Sequence, residues 1–263
     1  MNAPVTHWRG RRAWLFGASS GIGAALARHY ATTGATLGLA ARRTTLLDEL
    51  VADLPGQHFR YALDVVDADA MRDAARDFIS RSGVPDIVVA NAGVSAGTLG
   101  EAADDLPVQR RILETNVIGM ANSLQPFVAA MRARGGGCLV GIASVAGIRG
   151  FPGAGAYCAS KAAAITWLEA LRLELRGSGV RVVTIAPGYV ATPMTAGNTF
   201  RMPFLLPADV AARRMARAID RGASYAVVPW QMAIVGTLLR AMPDRLFDAL
   251  FARAGRKARG LDR

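Results

Sequence analysis

Lysine is almost missing from this chain. Of 31 basic residues among 263, only Lys161 and Lys257 are lysines, which leaves 29 arginines (31 − 2). Histidine is as scarce: His7, His29 and His58 form no cluster, so no metal site is expected. The only cysteines, Cys138 and Cys158, fit neither a disulfide framework nor zinc spacing. Cys138 reads as a small core residue, and Cys158 as a packed neighbour of Tyr157. Acidic residues stop at 20, which sets a formal net charge of +11. The arginines are scattered, without a dense run or interleaved aromatics, so nucleic acid is not an expected partner. Long apolar stretches are absent too. The uncharged run 225–239 is broken by Pro229 and falls short of the roughly 20 residues that span a bilayer. The first twelve residues are basic and polar with no apolar h-region, so no signal peptide and a reducing, cytoplasmic setting are expected.

What the chain does hold is apolar residues, 52% of the total. They recur as strand-like runs at 13–16, 35–40, 58–63, 84–90, 138–143, 180–186 and 225–228. Helix-patterned stretches separate them, near 21–33, 43–53, 67–81, 105–133, 156–177 and 207–221. Alternating β and α segments of this length predict an α/β fold: a single-domain, Rossmann-type, doubly wound parallel sheet with helices on both faces. No linker or repeat marks a second domain. Residues 1–11 form an N-terminal extension and 230–263 a C-terminal helical tail.

The first strand runs directly into Gly17-Ala18-Ser19-Ser20-Gly21-Ile22-Gly23 and then into a helix. Strand, glycine turn and helix is the context of a dinucleotide site. Glycines let the backbone approach a pyrophosphate that sits on the helix N-terminus. The spacing, Gly-x3-Gly-x-Gly, differs from the Gly-x-Gly-x-x-Gly of many such sites.

Further on stands Tyr157-Cys158-Ala159-Ser160-Lys161, with Ser144 thirteen positions upstream (157 − 144). Tyrosine and lysine at i and i+4 share one helix face. A free phenol, with pKa about 10, is a poor acid or base at neutrality. A fixed ammonium beside it would stabilise the phenolate and lower that value. Ser144 would add a hydrogen bond to the same substrate oxygen. A chain that uses arginine so heavily keeps a lysine here, where a compact ammonium differs from a guanidinium fork.

In this order and spacing the motifs resemble the short-chain dehydrogenase/reductase family, over roughly residues 12–230. The family's glycine motif usually opens with Thr; Phe16 stands in that place and removes a hydroxyl that braces the loop. The resemblance makes Asp64 and Val65 adenine contacts. It matches Asn91-Ala92-Gly93 to the family's loop after the fourth strand. It makes Asn116, Ser144, Tyr157 and Lys161 the catalytic set, and Pro187, Gly188, Val190 and Thr192 the loop that holds the nicotinamide. Gly17, Ser19, Ser20, Gly21, Ile22 and Gly23 then form the phosphate turn. The implied activity is hydride transfer between a nicotinamide and a carbonyl/alcohol pair. Tyr157 would be the acid, Lys161 would also hold ribose hydroxyls, and Asn116 would support Lys161 through a water.

An NAD-selecting carboxylate would stand where Ala41 is; Arg42 follows and offers a fork to a 2′-phosphate, so NADP(H) is expected over NAD(H). An NAD-dependent alcohol dehydrogenase of the same family and a non-catalytic NADP-binding regulator are the alternatives. The retained Tyr157 and Lys161 count against the second. A related epimerase or dehydratase would need a longer C-terminal substrate domain. Met194, Phe200, Met202, Phe204, Leu205 and Leu206 suggest an apolar small-molecule substrate beneath a covering loop. Apolar residues on more than one face of 105–133 and 156–177 predict a homodimer or homotetramer. For the tail, folding over the cleft or a neighbouring subunit is expected ahead of lying on an anionic membrane surface.

Overall fold

The computed structural model describes residues 10–252 and 254–260. His7, most of the N-terminal extension and the last three residues of the tail lie outside the described residues. In chain order the elements begin with β1 (Arg12–Phe16), α1 (Gly21–Thr32), β2 (Thr36–Ala41), α2 (Thr44–Asp53), β3 (His58–Ala62), α3 (Ala68–Ser82) and β4 (Ile87–Ala90). Next come α4 (Leu106–Leu113), α5 (Gly119–Arg134), β5 (Gly137–Ile142), α6 (Gly155–Glu174), β6 (Val180–Pro187), β7 (Val190–Ala191) and α7 (Pro193–Ala196). The chain closes with β8 (Leu206–Pro207), α8 (Ala208–Asp220), β9 (Tyr225–Val228), α9 (Gln231–Ala241) and α10 (Asp244–Phe251).

Seven strands form one sheet in the order β3-β2-β1-β4-β5-β6-β9, every neighbouring pair parallel. β7 and β8 make a separate short ladder. Strand order reverses between β1 and β4, and the carboxyl ends at that reversal are where an open α/β sheet places its ligands.

The strands are near-continuous apolar runs because both faces of the sheet are covered. On β1, Ala13 and Leu15 point into one core with Leu26 and Tyr30 of α1 and Met215 and Ile219 of α8. Trp14 and Phe16 point into the other, with Phe78 of α3, Phe127 of α5 and Leu168 of α6. Trp14 touches the rings of Phe16, Tyr61, Phe78 and Phe127 at centroid distances of 4.6–5.5 Å. This is the Rossmann-type doubly wound α/β architecture.

Two boundaries differ from the sequence reading. The expected helix 105–133 is two helices joined by a π-helical turn, Glu114–Ile118. The covering segment after Thr192 contains the short helix α7, closed by a reciprocal Thr192–Thr195 capping box. No helix among the described residues is long and apolar enough to cross a membrane.

Candidate active site

The glycine turn connects β1 to α1. Gly17 and Gly21 adopt φ of +66° and +56°, the left-handed region that favours glycine. A Cβ on Gly23 would stand 2.2 Å from the Gly17 carbonyl oxygen, so the turn closes on itself only without a side chain there. Ser20 caps α1 without a side-chain hydrogen bond, and the first turn of the helix carries no acidic residue. An anion therefore meets the positive end of the helix with no carboxylate in competition. Ile22 leans onto the first core.

The neighbouring strand also braces the turn. Asn91, at the end of β4, donates its amide to the carbonyls of Phe16 (3.3 Å) and Gly17 (3.1 Å). Phe16 itself is fully buried in the aromatic core. Ala92 lies against Gly17, where an added Cβ would come within 2.7 Å of the Ala92 Cα.

Asn116 sits in the π-helical turn with no exposed surface. Its carboxamide accepts from Val94 N–H (2.8 Å) and donates to Val94 C=O (3.0 Å), so it holds the loop that follows Gly93. The same amide nitrogen donates to Ser160 Oγ at 2.9 Å, and Ser160 donates to the Tyr157 carbonyl at 2.7 Å. The side chain thus ties the β4 loop to the Tyr157 helix, and a Cβ on Gly93 would meet both the Asn116 carboxamide oxygen (3.1 Å) and the Lys161 nitrogen (3.6 Å). Ser160 was missed in the sequence; its place inside the Tyr-x3-Lys segment was the available signal.

Ser144 ends the β5 connection and starts a 3₁₀ turn, Val145–Gly147, where its Oγ accepts from Ala146 N–H at 3.1 Å. Tyr157 and Lys161 project from the first two turns of α6. The Lys161 ammonium lies 5.8 Å from the Tyr157 ring centroid and donates to the Ile142 carbonyl at 2.9 Å. Burial raises the Tyr157 phenol above its ordinary value, while the Ser144 hydroxyl that faces it draws it back. Burial also lowers Lys161 from 10.5 to about 8. The Ile142 carbonyl takes one of the three N–H donors of the Lys161 ammonium.

The β6 loop completes the enclosure. Pro187 C=O lies 3.5 Å from Ser144 Oγ, and Gly188 N–H donates to Val228 C=O at 2.8 Å. The Thr192 methyl stands over Gly21, where an added Cβ would approach it to 3.1 Å. The side chains of Val65 and Val190 are buried in the two cores, so what they offer a ligand is backbone.

Arg42 and Arg43 take different partners. Arg42 turns to Asp64 (3.5 Å), which Arg111 also holds at 2.6 Å while Val66 N–H donates to its other oxygen. Arg43 instead crosses the mouth of the glycine turn. It donates to Ser19 Oγ at 3.0 and 3.3 Å, and to Ser20 Oγ. No carboxylate stands at the end of β2; Ala41 is there, 6% exposed.

A family profile described as short chain dehydrogenase matches residues 11–201. An uncharacterized oxidoreductase of Myxococcus xanthus is 41% identical over 244 residues, which cover 91% of this chain and 95% of the relative. A short-chain dehydrogenase/reductase from Burkholderia phymatum in complex with NAD superposes with TM-score 0.80 at 24% identity, covering 97% of this chain and 99% of the other. An alcohol dehydrogenase from the archaeon Thermococcus sibiricus, complexed with 5-hydroxy-NADP, does so with TM-score 0.73 at 26% identity, covering 83% and 94%. With its Rossmann-type sheet, its glycine turn and its Ser144, Tyr157 and Lys161 side chains, this chain belongs to the short-chain dehydrogenase/reductase family of nicotinamide-dependent oxidoreductases.

Proposed function

We propose that this protein is an NADP(H)-dependent carbonyl reductase that interconverts an apolar ketone and its secondary alcohol. The observation that carries this reading is the Tyr157 phenol facing the Ser144 hydroxyl, with the buried Lys161 ammonium 5.8 Å from its ring, across from the glycine turn. The residues fit a dinucleotide: the turn around Gly17 and Gly21 is shaped for close backbone approach, and the α1 N-terminus faces it uncapped by any side chain.

When bound, the nicotinamide supplies or accepts the hydride. Tyr157, held above its ordinary pKa, is protonated and ready to give its proton to the carbonyl oxygen as that oxygen gains charge. Ser144 holds the same oxygen and fixes its distance from the phenol. Lys161 stabilises the phenolate left behind. Asn116 and Ser160 position Tyr157 through its own backbone, and Asn91 holds the phosphate turn in shape.

Arg43, bridging Ser19 and Ser20 and replacing any carboxylate at the β2 end, supports NADP(H) over NAD(H). The apolar substrate is supported by Phe200, whose ring lies 6.2 Å from that of Tyr189 beside the cleft. A homodimer or homotetramer is supported by Leu106, Leu113 and Ile118 along α4 and its π turn and by Leu173 at the end of α6; all four are exposed. On the same helices and on α5, Ile112, Met120, Phe127, Met131 and Leu168 are buried in the subunit's own core. Purified protein mixed with NADPH or NADH and a panel of ketones tests the reading. NADPH should be oxidised faster, and bulky apolar ketones should be preferred over charged ones. A wild-type preference for NADH, or no turnover of any carbonyl, contradicts it.

A further inference from the structure

The last described residues do not trail from the molecule. Residues 254–260 run back across the loops that surround Tyr157 and are fixed to each of them. Gly97 N–H, in the loop after β4, donates to Ala258 C=O at 2.7 Å, and Gly97 pairs with Arg259 as a short parallel bridge. A Cβ on Gly97 would sit 2.2 Å from the Lys257 carbonyl oxygen, so this approach requires glycine. Arg256 covers Gly153, in the loop before α6. Lys257 Nζ donates to Met194 C=O at 3.0 Å, and Gly255 lies against Phe200, both in the segment after β6.

The strongest tie is between Arg259 and Asp105. Two guanidinium nitrogens meet both carboxylate oxygens at 3.0–3.2 Å. The Asp105 side chain is 6% exposed and that of Arg259 51%. The same carboxylate accepts from Leu99 N–H at 2.7 Å, so the pair anchors the tail to the loop that carries Ala96. Ala96 packs with Ala156 and Tyr157 in one small apolar cluster. The bidentate geometry joins positions 154 residues apart in sequence.

We propose that residues 254–260 form a strap that is the outer wall of the carbonyl-binding cleft, and that the Asp105–Arg259 pair, by fastening it, limits the size of substrate admitted. The cleft assignment rests on the carbonyl-reductase reading of the site. Loops after β4, β5 and β6 line the substrate side of a sheet of this kind. A segment pinned to all three has the reach to determine how far they separate. Arg259 and Asp105 are positioning residues here; neither touches the Tyr157 hydroxyl.

Cys158 provides a probe that needs no turnover. It is 4% exposed, sits next to Tyr157 and lies under the Phe151 backbone, in the loop that the strap holds at Gly153. The full-length protein, its Arg259→Ala and Arg259→Lys variants and a chain ending at Ala252 are compared. Alkylation of Cys158 by N-ethylmaleimide is followed by mass spectrometry. NADPH affinity is followed by fluorescence, and kcat/KM is measured for a small aliphatic and a bicyclic ketone. Arg259→Ala and the shortened chain should react at Cys158 at least tenfold faster, with NADPH affinity within twofold of wild type. The ratio of kcat/KM for the bicyclic over the small ketone should rise at least tenfold, chiefly through KM, with Arg259→Lys intermediate. Unchanged alkylation in both variants, or an unchanged substrate ratio despite faster tryptic release of the tail, overturns the proposal. If the wild type reduces neither ketone, the reductase reading fails while the alkylation result still decides the strap.

Discussion

Replacing Lys161 by methionine should make the cofactor-free protein more stable and inactive. The side chain is 4% exposed, and burial lowers its pKa from 10.5 to about 8. At about 1.4 kcal/mol per pKa unit, holding the ammonium charged at pH 7 costs about 3 kcal/mol. Methionine fills similar volume without the charge and forfeits the Nζ–Ile142 hydrogen bond, worth about 1 kcal/mol. The net gain at pH 7 is about 2 kcal/mol, a rise in Tm of roughly 5 °C for a chain of this size. The sign of its pH dependence follows from linkage. Between about pH 8 and 10.5 the unfolded chain holds a proton on this residue that the folded chain has released, so wild-type stability rises with pH. The advantage of the variant is therefore complete below about pH 8 and gone by about pH 10.5. Thermal unfolding followed by circular dichroism at pH 7 and pH 10.5 measures both. A destabilised variant at pH 7, or a gap that does not close with pH, would refute the idea that the site retains a costly buried charge.

Two further outcomes follow from particular contacts. Arg43→Ala should narrow the NADP(H)-over-NAD(H) preference by about 1.5–3 kcal/mol, the worth of a hydrogen bond to a charged group. Arg42→Ala should change it much less, because Arg42 faces Asp64; equal effects in titrations of both cofactors would return the role to Arg42. Gly38→Ala should destabilise the fold by about 1–3 kcal/mol in urea unfolding, since its Cβ would stand 2.5 Å from the Trp14 ring and 3.0 Å from Phe78. An unaltered midpoint would mean that the aromatic core yields more readily than its close packing implies.

The strand runs were legible because strands buried on both faces must be apolar throughout, and the glycine turn because its backbone requires residues without side chains. Ser144, Tyr157 and Lys161 were legible as a set through their spacing and the rarity of lysine. The π turn at Glu114–Ile118 was not, since apolar residues lie on more than one face of this stretch and hide the shift in phase, and the bond it carries, Asn116 with Val94, is distant in sequence. The choice between Arg42 and Arg43 hangs on the extended backbone of Arg43 at the start of α2, φ −83° and ψ 95°, which sends adjacent side chains in different directions. The path of the tail was not legible either. Its end meets the loops after β4 and β6 through contacts such as Asp105–Arg259, which no local pattern foretells. Its helices still show Trp230, Ile234, Leu238, Leu246 and Leu250 to solvent.

Tyr157→Phe tests the central claim most directly, because it deletes one phenolic oxygen and little else. With NADPH and a ketone accepted by the wild type, turnover should fall at least about a hundredfold, the lower range of general acid–base contributions, while NADPH affinity stays within a fewfold of wild type. A Tyr157→Phe protein that turns over at the wild-type rate would contradict the assignment of Tyr157 as the proton donor.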